Sequence, residues 1–83
     1  MTGAWRVEDL TVRILDIAQA ILDTSDLGPD DELADHGATS LSLVRILATI
    51  HQTLGADVDP RDLTGRFTAH NLAVAARTAR SAG

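Results

Sequence analysis

Two adjacent hydroxyl side chains, Thr39 and Ser40, lie where the apolar segment SLSLVRILATI begins. One hydroxyl is enough to cap the start of a helix, so the second is available for other chemistry. The free N–H groups and the positive end of the helix dipole at such a position stabilise a negative group, including a phosphate attached to the serine itself. Thr39 as the cap would leave Ser40 free for modification, whereas the spacing alone slightly favours a doubled cap that uses both hydroxyls.

The same region contains the residue types of a hydrolase triad, namely Asp35, His36 and Ser40. Three members so close in sequence cannot easily place the imidazole between a carboxylate and a hydroxyl, and a small bundle offers no obvious cleft or oxyanion hole. We therefore do not expect an enzyme. The three histidines, His36, His51 and His70, lack the i, i+4 spacing of a zinc site on one helix, so we expect no metal site.

Apolar periodicity predicts the helices that position these hydroxyls. Over Val7–Leu22 the apolar residues recur with the i, i+3, i+4, i+7 spacing of one helical face. A Gly-Pro pair and several Asp residues then predict a long loop, with a short helical turn at residues 31–34. The second helix is predicted over Ser40–Leu54, with Gly55 as a left-handed cap at its end.

Two further helices are predicted towards the C-terminus. Asp59 followed by Pro60 indicates the start of a short helix. The last helix should run from a Thr68 cap to about residue 79, with Phe67 and Leu72 in the two positions of a hydrophobic staple. We find no strand pattern, so we predict an all-α fold, a small four-helix bundle of three main helices and one short one, forming a single domain over residues 1–83.

The second helix has more apolar side chains than a core stripe needs. At about 100° per residue, four of them form a narrow stripe that can serve the core, with Ile46 at its edge: Leu43, Leu47, Ile50 and Leu54. Three others lie on a different face, which they share with Arg45: Leu41, Val44 and Ala48. An uncovered apolar patch of this kind more often marks an interaction surface than a defect, unless the long loop folds over it.

Composition narrows the class of protein. The chain has 83 residues, no cysteine, and only Trp5 and Phe67 as aromatic residues, so the core must consist mainly of Leu, Ile, Val and Ala. Disulfides and thiolate metal sites are excluded. The chain has neither an apolar run long enough to span a membrane nor the features of a signal peptide, so we expect a cytoplasmic protein. The initial Met and the end close after the last periodic segment suggest a free-standing protein, although a piece cut from a larger enzyme could look the same. We expect a monomer.

The net charge of −5 is unevenly distributed. No Lys or Arg lies between Arg13 and Arg45, an interval that contains seven acidic residues: Asp16, Asp23, Asp26, Asp30, Asp31, Glu32 and Asp35. Such a flank repels phosphate backbones, so we expect no nucleic-acid partner. The acids either face basic protein surfaces or simply solvate the long loop.

The string DELADHGATSLSLVRILATIHQTLGADVDPRDL, followed by GRFTAHNLA, resembles the acyl and peptidyl carrier proteins. The shared features are an acidic stretch ending in Leu, a Gly-x-x-Ser-Leu turn, an amphipathic helix and a Phe-Thr pair before the last helix. In that family a phosphopantetheinyl transferase converts the serine to phosphopantetheinyl-serine, using coenzyme A, and the thiol of the arm holds the substrate as a thioester. The matching residue is Ser40, so the resemblance implies carriage of an intermediate and not catalysis.

Thr39 departs from the Asp or His that often precedes this serine. Thr at this position is familiar among carriers of nonribosomal peptide and hybrid peptide-polyketide assembly lines, and residues 40–54 lack the acids typical of fatty-acid carriers. The resemblance is therefore closest to free-standing peptidyl carrier proteins of natural-product pathways, such as antibiotic biosynthesis. These are loaded by an adenylation enzyme and used by condensing or tailoring enzymes.

The alternatives are an acyl carrier of a polyketide or fatty-acid-type pathway and an unmodified helical adaptor. Expected partner contacts are Thr39, Leu41, Val44, Arg45 and Ala48.

Overall fold

The computed structural model describes residues 6–59 and 66–82, with side chains up to residue 79 in the last helix. Within these ranges it contains three α-helices and one short 3-10 helix, and no strand. The elements are α1 (Val7–Leu22), the 3-10 helix (Leu33–His36), α2 (Ser40–Leu54) and α3 (Ala69–Ala82). The predicted all-α fold is confirmed. None of the helices described has the length and hydropathy needed to span a membrane.

Helix α1 has the bounds that its periodicity predicts. Its buried apolar residues are Leu10, Ile14 and Ala18, while Val7, Ile17 and Ile21 of the same predicted face are partly buried against them. Acidic side chains in the first turn, at positions 8 and 9, interact favourably with the positive end of the helix dipole. The helix ends where Asp23 adopts a left-handed conformation, with φ 55° and ψ 49°.

The long loop after α1 contributes two buried leucines, Leu27 and Leu33. The predicted turn at residues 31–34 is displaced: the 3-10 helix begins at Leu33. The physical reason is that Asp31 closes a separate turn just before it, because its Oδ2 atom accepts the N–H of Gly28 at 2.8 Å. The acidic run therefore shapes the loop, and the fully buried Leu33 begins the helical turn.

Helix α1 packs against both α2 and α3, and the core lies between them. Every buried apolar side chain among the described residues is Leu, Ile, Val or Ala, as the composition predicts. Helix α3 contributes Ala69, Leu72, Ala73 and Ala76 to this core. Ala75 and Ala79 of the same helix are only partly buried.

Helix α3 begins as predicted, after a threonine cap. The side chain of Thr68 accepts the backbone N–H of Asn71 at 3.1 Å. Phe67, at the predicted staple position, is partly buried against the core. The helix extends to Ala82, three residues beyond the predicted end at residue 79. The predicted short helix that follows Asp59 lies outside the described residues.

Helix α2 has its predicted bounds, but the centre of its buried face differs from the prediction. Ile46 and Ile50 are fully buried and Leu54 is nearly so, whereas Leu43 and Leu47 are only partly buried. The prediction that Ile46 lies at the edge of the core was wrong. These five side chains span about 100° of the helix, so periodicity identifies the stripe but not the point where α1 packs against it.

The chain turns into α2 at Gly37, which has φ 92° and ψ 10° and therefore lies in a region that favours glycine. A Cβ atom there would meet nothing within 4 Å, so replacement would strain only the backbone. We expect Gly37→Ala to lower the free energy of unfolding by about 1–2 kcal/mol, measured by urea denaturation. Gly37→Asn should cost less, because Asn tolerates positive φ better than Ala does. Equal stabilities for Gly, Ala and Asn would show that this conformation is not required.

Candidate functional site

Ser40 is the first residue of α2 and is exposed to solvent. Its hydroxyl makes no hydrogen bond with any residue in the described part of the chain. The backbone N–H groups of Ser40 and Leu41 likewise have no protein acceptor there, as expected in the first turn of a helix. An accessible hydroxyl thus lies beside two free donors and the positive end of a helix dipole.

The cap of α2 is Thr39 alone. Its Oγ1 atom accepts the N–H of Ser42 at 3.3 Å, and its carbonyl accepts the N–H of Leu43 at 3.0 Å. The doubled cap that the spacing slightly favours is not formed. Instead, the second hydroxyl near Thr39 is that of Ser42, with 3.2 Å between the two oxygens. Sequence reasoning missed this Thr39–Ser42 pair, although the i, i+3 spacing is the signal that could have identified it.

The position of Ser40 is set by a short chain of contacts before the helix. Leu33 is fully buried, and its N–H donates to the carbonyl of Phe67 at 2.9 Å. The 3-10 helix then ends at Gly37, and the N–H of Ala38 returns to the carbonyl of Leu33 at 3.1 Å. The segment that carries Ser40 is therefore attached to the core and to the start of α3.

The predicted exposed face of α2 is present and consists of Leu41, Val44, Arg45 and Ala48. We call it the docking face, after the role proposed for it below. Leu41 is 69% exposed and Val44 is 59% exposed. The alternative, in which the long loop covers this face, is wrong because the loop packs elsewhere. Its leucines enter the core, and the carbonyl of Pro29 accepts the N–H of His70 at 3.0 Å.

Charge is separated between α2 and the loop. Helix α2 contains no Asp or Glu, and Arg45 forms no ion pair with the residues described. In the loop, Glu32 is 3.2 Å from the Nε atom of Arg66, an exposed pair that contributes little to stability. The docking face is therefore apolar with one free positive charge, and the acids lie outside it.

The residues of the possible triad are not arranged as a triad. The Nε2 atom of His36 is 3.4 Å from the Oδ2 atom of Asp31, and the same oxygen accepts the N–H of Gly28. The partner of His36 is therefore Asp31, while Asp35 is exposed. Among the residues described, no group of three His, Cys, Asp or Glu side chains could hold a metal ion.

Comparison with known families supports the carrier interpretation. A family model described as "Phosphopantetheine attachment site" matches residues 12–77, which is most of the chain. No curated protein and no solved structure gave a match. Members of this family bear a 4'-phosphopantetheine group and interact with a phosphopantetheinyl transferase and with partner enzymes, and they are not enzymes themselves. With its helical fold and its match to this model over residues 12–77, the chain belongs to the phosphopantetheine attachment-site family and is a carrier protein.

Proposed function

We propose that Ser40 is the attachment residue and that the chain carries an aminoacyl or acyl intermediate to partner enzymes of natural-product biosynthesis. The observation that supports this best is the exposed Ser40 hydroxyl, which makes no hydrogen bond with the described residues because Thr39 alone caps the helix. The Oγ atom of a capping serine would become an ester oxygen on modification, which is a poorer acceptor for the helix N–H groups. Ser40 can be modified without loss of the cap.

The residues at the start of α2 also suit a phosphodiester on Ser40. The free N–H groups of Ser40 and Leu41 and the helix dipole favour an anion beside them, while no acidic residue lies in the first turn. When bound, the phosphopantetheine group supplies the thiol that holds the substrate as a thioester. The protein itself contributes a fixed attachment point and a docking surface, which raise the effective concentration of the intermediate at each partner.

The peptidyl type of carrier is the finer part of the proposal. Thr39 in place of Asp or His, and the lack of acids in α2, favour a peptidyl carrier over an acyl carrier of the fatty-acid type. The proposed partners are an adenylation enzyme that loads the thiol, and condensing or tailoring enzymes that use it. They would contact Thr39 and the docking face through mainly apolar contacts. A single domain over residues 1–83, a monomeric state and a cytoplasmic location stay predictions.

The attachment site is tested by intact mass. After incubation with coenzyme A and a broad-specificity phosphopantetheinyl transferase, the native chain should gain one phosphopantetheine adduct, and Ser40→Ala should gain none. Ser40→Ala should remain folded, because the cap on Thr39 is untouched. Ser42→Ala is the matched control and should still be modified. The proposal fails if a folded apo chain gains no adduct from a transferase that is active on another carrier.

Thr39 is expected to influence which transferase accepts the carrier. A broad-specificity transferase should modify the native chain faster than a transferase dedicated to fatty-acid carriers. Thr39→Asp should accelerate the second reaction with little change in stability, because Asp also caps helices. Thr39→Asn, which caps without a charge, should not accelerate it. Equal rates of the two transferases on the native chain would remove the basis of this prediction.

The docking face is tested by placing a charge on each side of α2. Val44→Asp should impair loading or condensation while changing the melting temperature little, because Val44 is mostly exposed. Ile46→Asp is the matched control and should unfold the protein, because it would bury a charge at the fully buried Ile46. Equal destabilisation by the two substitutions would place the docking surface elsewhere.

A further inference from the structure

A groove of about 350 Å³ lies between α1, the loop at Pro29 and the first turn of α3, and it shares no residue with the docking face. Its apolar lining includes Leu15 and Val12, and Val12 is 59% exposed. Leu15 packs partly against the core, whereas Val12 belongs neither to the core nor to the residues packed against it. Packing of the core therefore does not explain why an apolar side chain is exposed at position 12.

Backbone contacts hold the loop wall of the groove in place. The carbonyl of Pro29 accepts the N–H of His70 at 3.0 Å, which fixes this wall to α3. Gly28 and Asp31 are joined twice, by the 2.8 Å bond from the Gly28 N–H to the Asp31 carboxylate and by a 3.2 Å backbone bond. The groove is therefore formed before any partner arrives, as most ligand-binding clefts are.

The charges that line the groove are negative. Glu8 of α1 and Asp30 of the loop are both exposed, and neither forms an ion pair with a residue that the structure describes. Among the lining residues that the structure describes, the remaining titratable group is His70, and none is Arg or Lys. Anionic ligands, including nucleic-acid backbones and acidic lipid headgroups, are repelled by such a site, whereas a cation with an apolar stem matches both its charge and its lining.

We propose that this groove docks a basic segment of a partner protein. An Arg or Lys side chain would lay its aliphatic stem against Val12 and Leu15 and direct its charge towards Glu8 and Asp30. The volume is at the lower end of the range of about 300–1,000 Å³ for ligand pockets, which suits one such side chain with an apolar neighbour. The inference is independent of the attachment of the arm to Ser40.

A short peptide tests the groove directly. N-acetyl-Leu-Arg-Leu-amide should shift the backbone amide resonances of Val12, Leu15 and Asp30 in the isotope-labelled full chain, with a saturable dependence on concentration. N-acetyl-Leu-Gln-Leu-amide should bind about fivefold more weakly, because it cannot pair with the two carboxylates.

Two paired substitutions complete the test. Glu8→Gln combined with Asp30→Asn should weaken the binding of the Arg peptide by about fivefold, as expected for the loss of two exposed ion pairs. Asp16→Asn combined with Asp26→Asn changes the net charge equally at exposed positions outside the lining, and should leave the affinity within about twofold.

Other outcomes would overturn the proposal: no saturable shift in the groove, shifts on the docking face instead, equal binding of the Gln peptide, or equal losses in both pairs of variants. Self-association that disappears in the Glu8 and Asp30 variant would identify a second copy of the chain as the occupant, and would also overturn it. The coenzyme A-dependent mass adduct should form normally in every variant. Failure of the groove is thereby distinguished from failure of the attachment to Ser40.

Discussion

The position of Ser40, the proposed attachment residue, depends on Leu33. Its side chain is fully buried and its N–H donates to the carbonyl of Phe67, so one residue joins the long loop to both the core and the start of α3. Ordering the loop on folding costs conformational entropy. The burial of Leu33 and its hydrogen bond help to offset that cost. Because only six residues separate Leu33 from Ser40, the anchor also limits where the first turn of α2 can lie.

Helix α2 carries out two tasks on two of its faces. Ile46 and Ile50 hold the helix against the core, which leaves Leu41 and Val44 with no folding role and free to contact other proteins. At its first turn, the cap on Thr39 completes the helix without using the neighbouring serine. In the proposed function, stability and partner contact therefore depend on different side chains, so a partner-facing residue can change with little effect on the fold.

Much of this architecture could be predicted from the sequence, because periodicity and caps are local signals. The bounds of α1 and α2 follow from apolar spacing, and the end of α2 follows from Gly55, which has φ 71°. The errors concern choices among neighbours of similar chemistry. Periodicity could not decide whether Ile46 or Leu43 lies deeper, since that depends on where α1 packs. The adjacent hydroxyls of Thr39 and Ser40 have similar chemistry, so the sequence could not show which of them caps the helix. The exposed Ser40 was identified by its position at the helix start, and the groove was missed because its walls come from three separate segments.

Because charge is separated, the docking face and the groove would attract partners through different kinds of interaction. Contact through Leu41 and Val44 would gain free energy from the burial of apolar area, and salt weakens this gain little. Attraction between a partner and Arg45 or the loop acids depends on charge, so it decreases over a Debye length of about 8 Å at physiological ionic strength. Two acidic residues, Glu8 and Asp30, line the groove, whereas α2 contains none. In the proposed function, long-range attraction acts mainly on basic partner surfaces that approach the α1 and loop side, while the proposed docking face beside Ser40 selects partners by shape and apolar contact. A carrier that must be released by each enzyme in turn would benefit from this arrangement, because apolar contacts of small area beside the proposed arm would exchange readily.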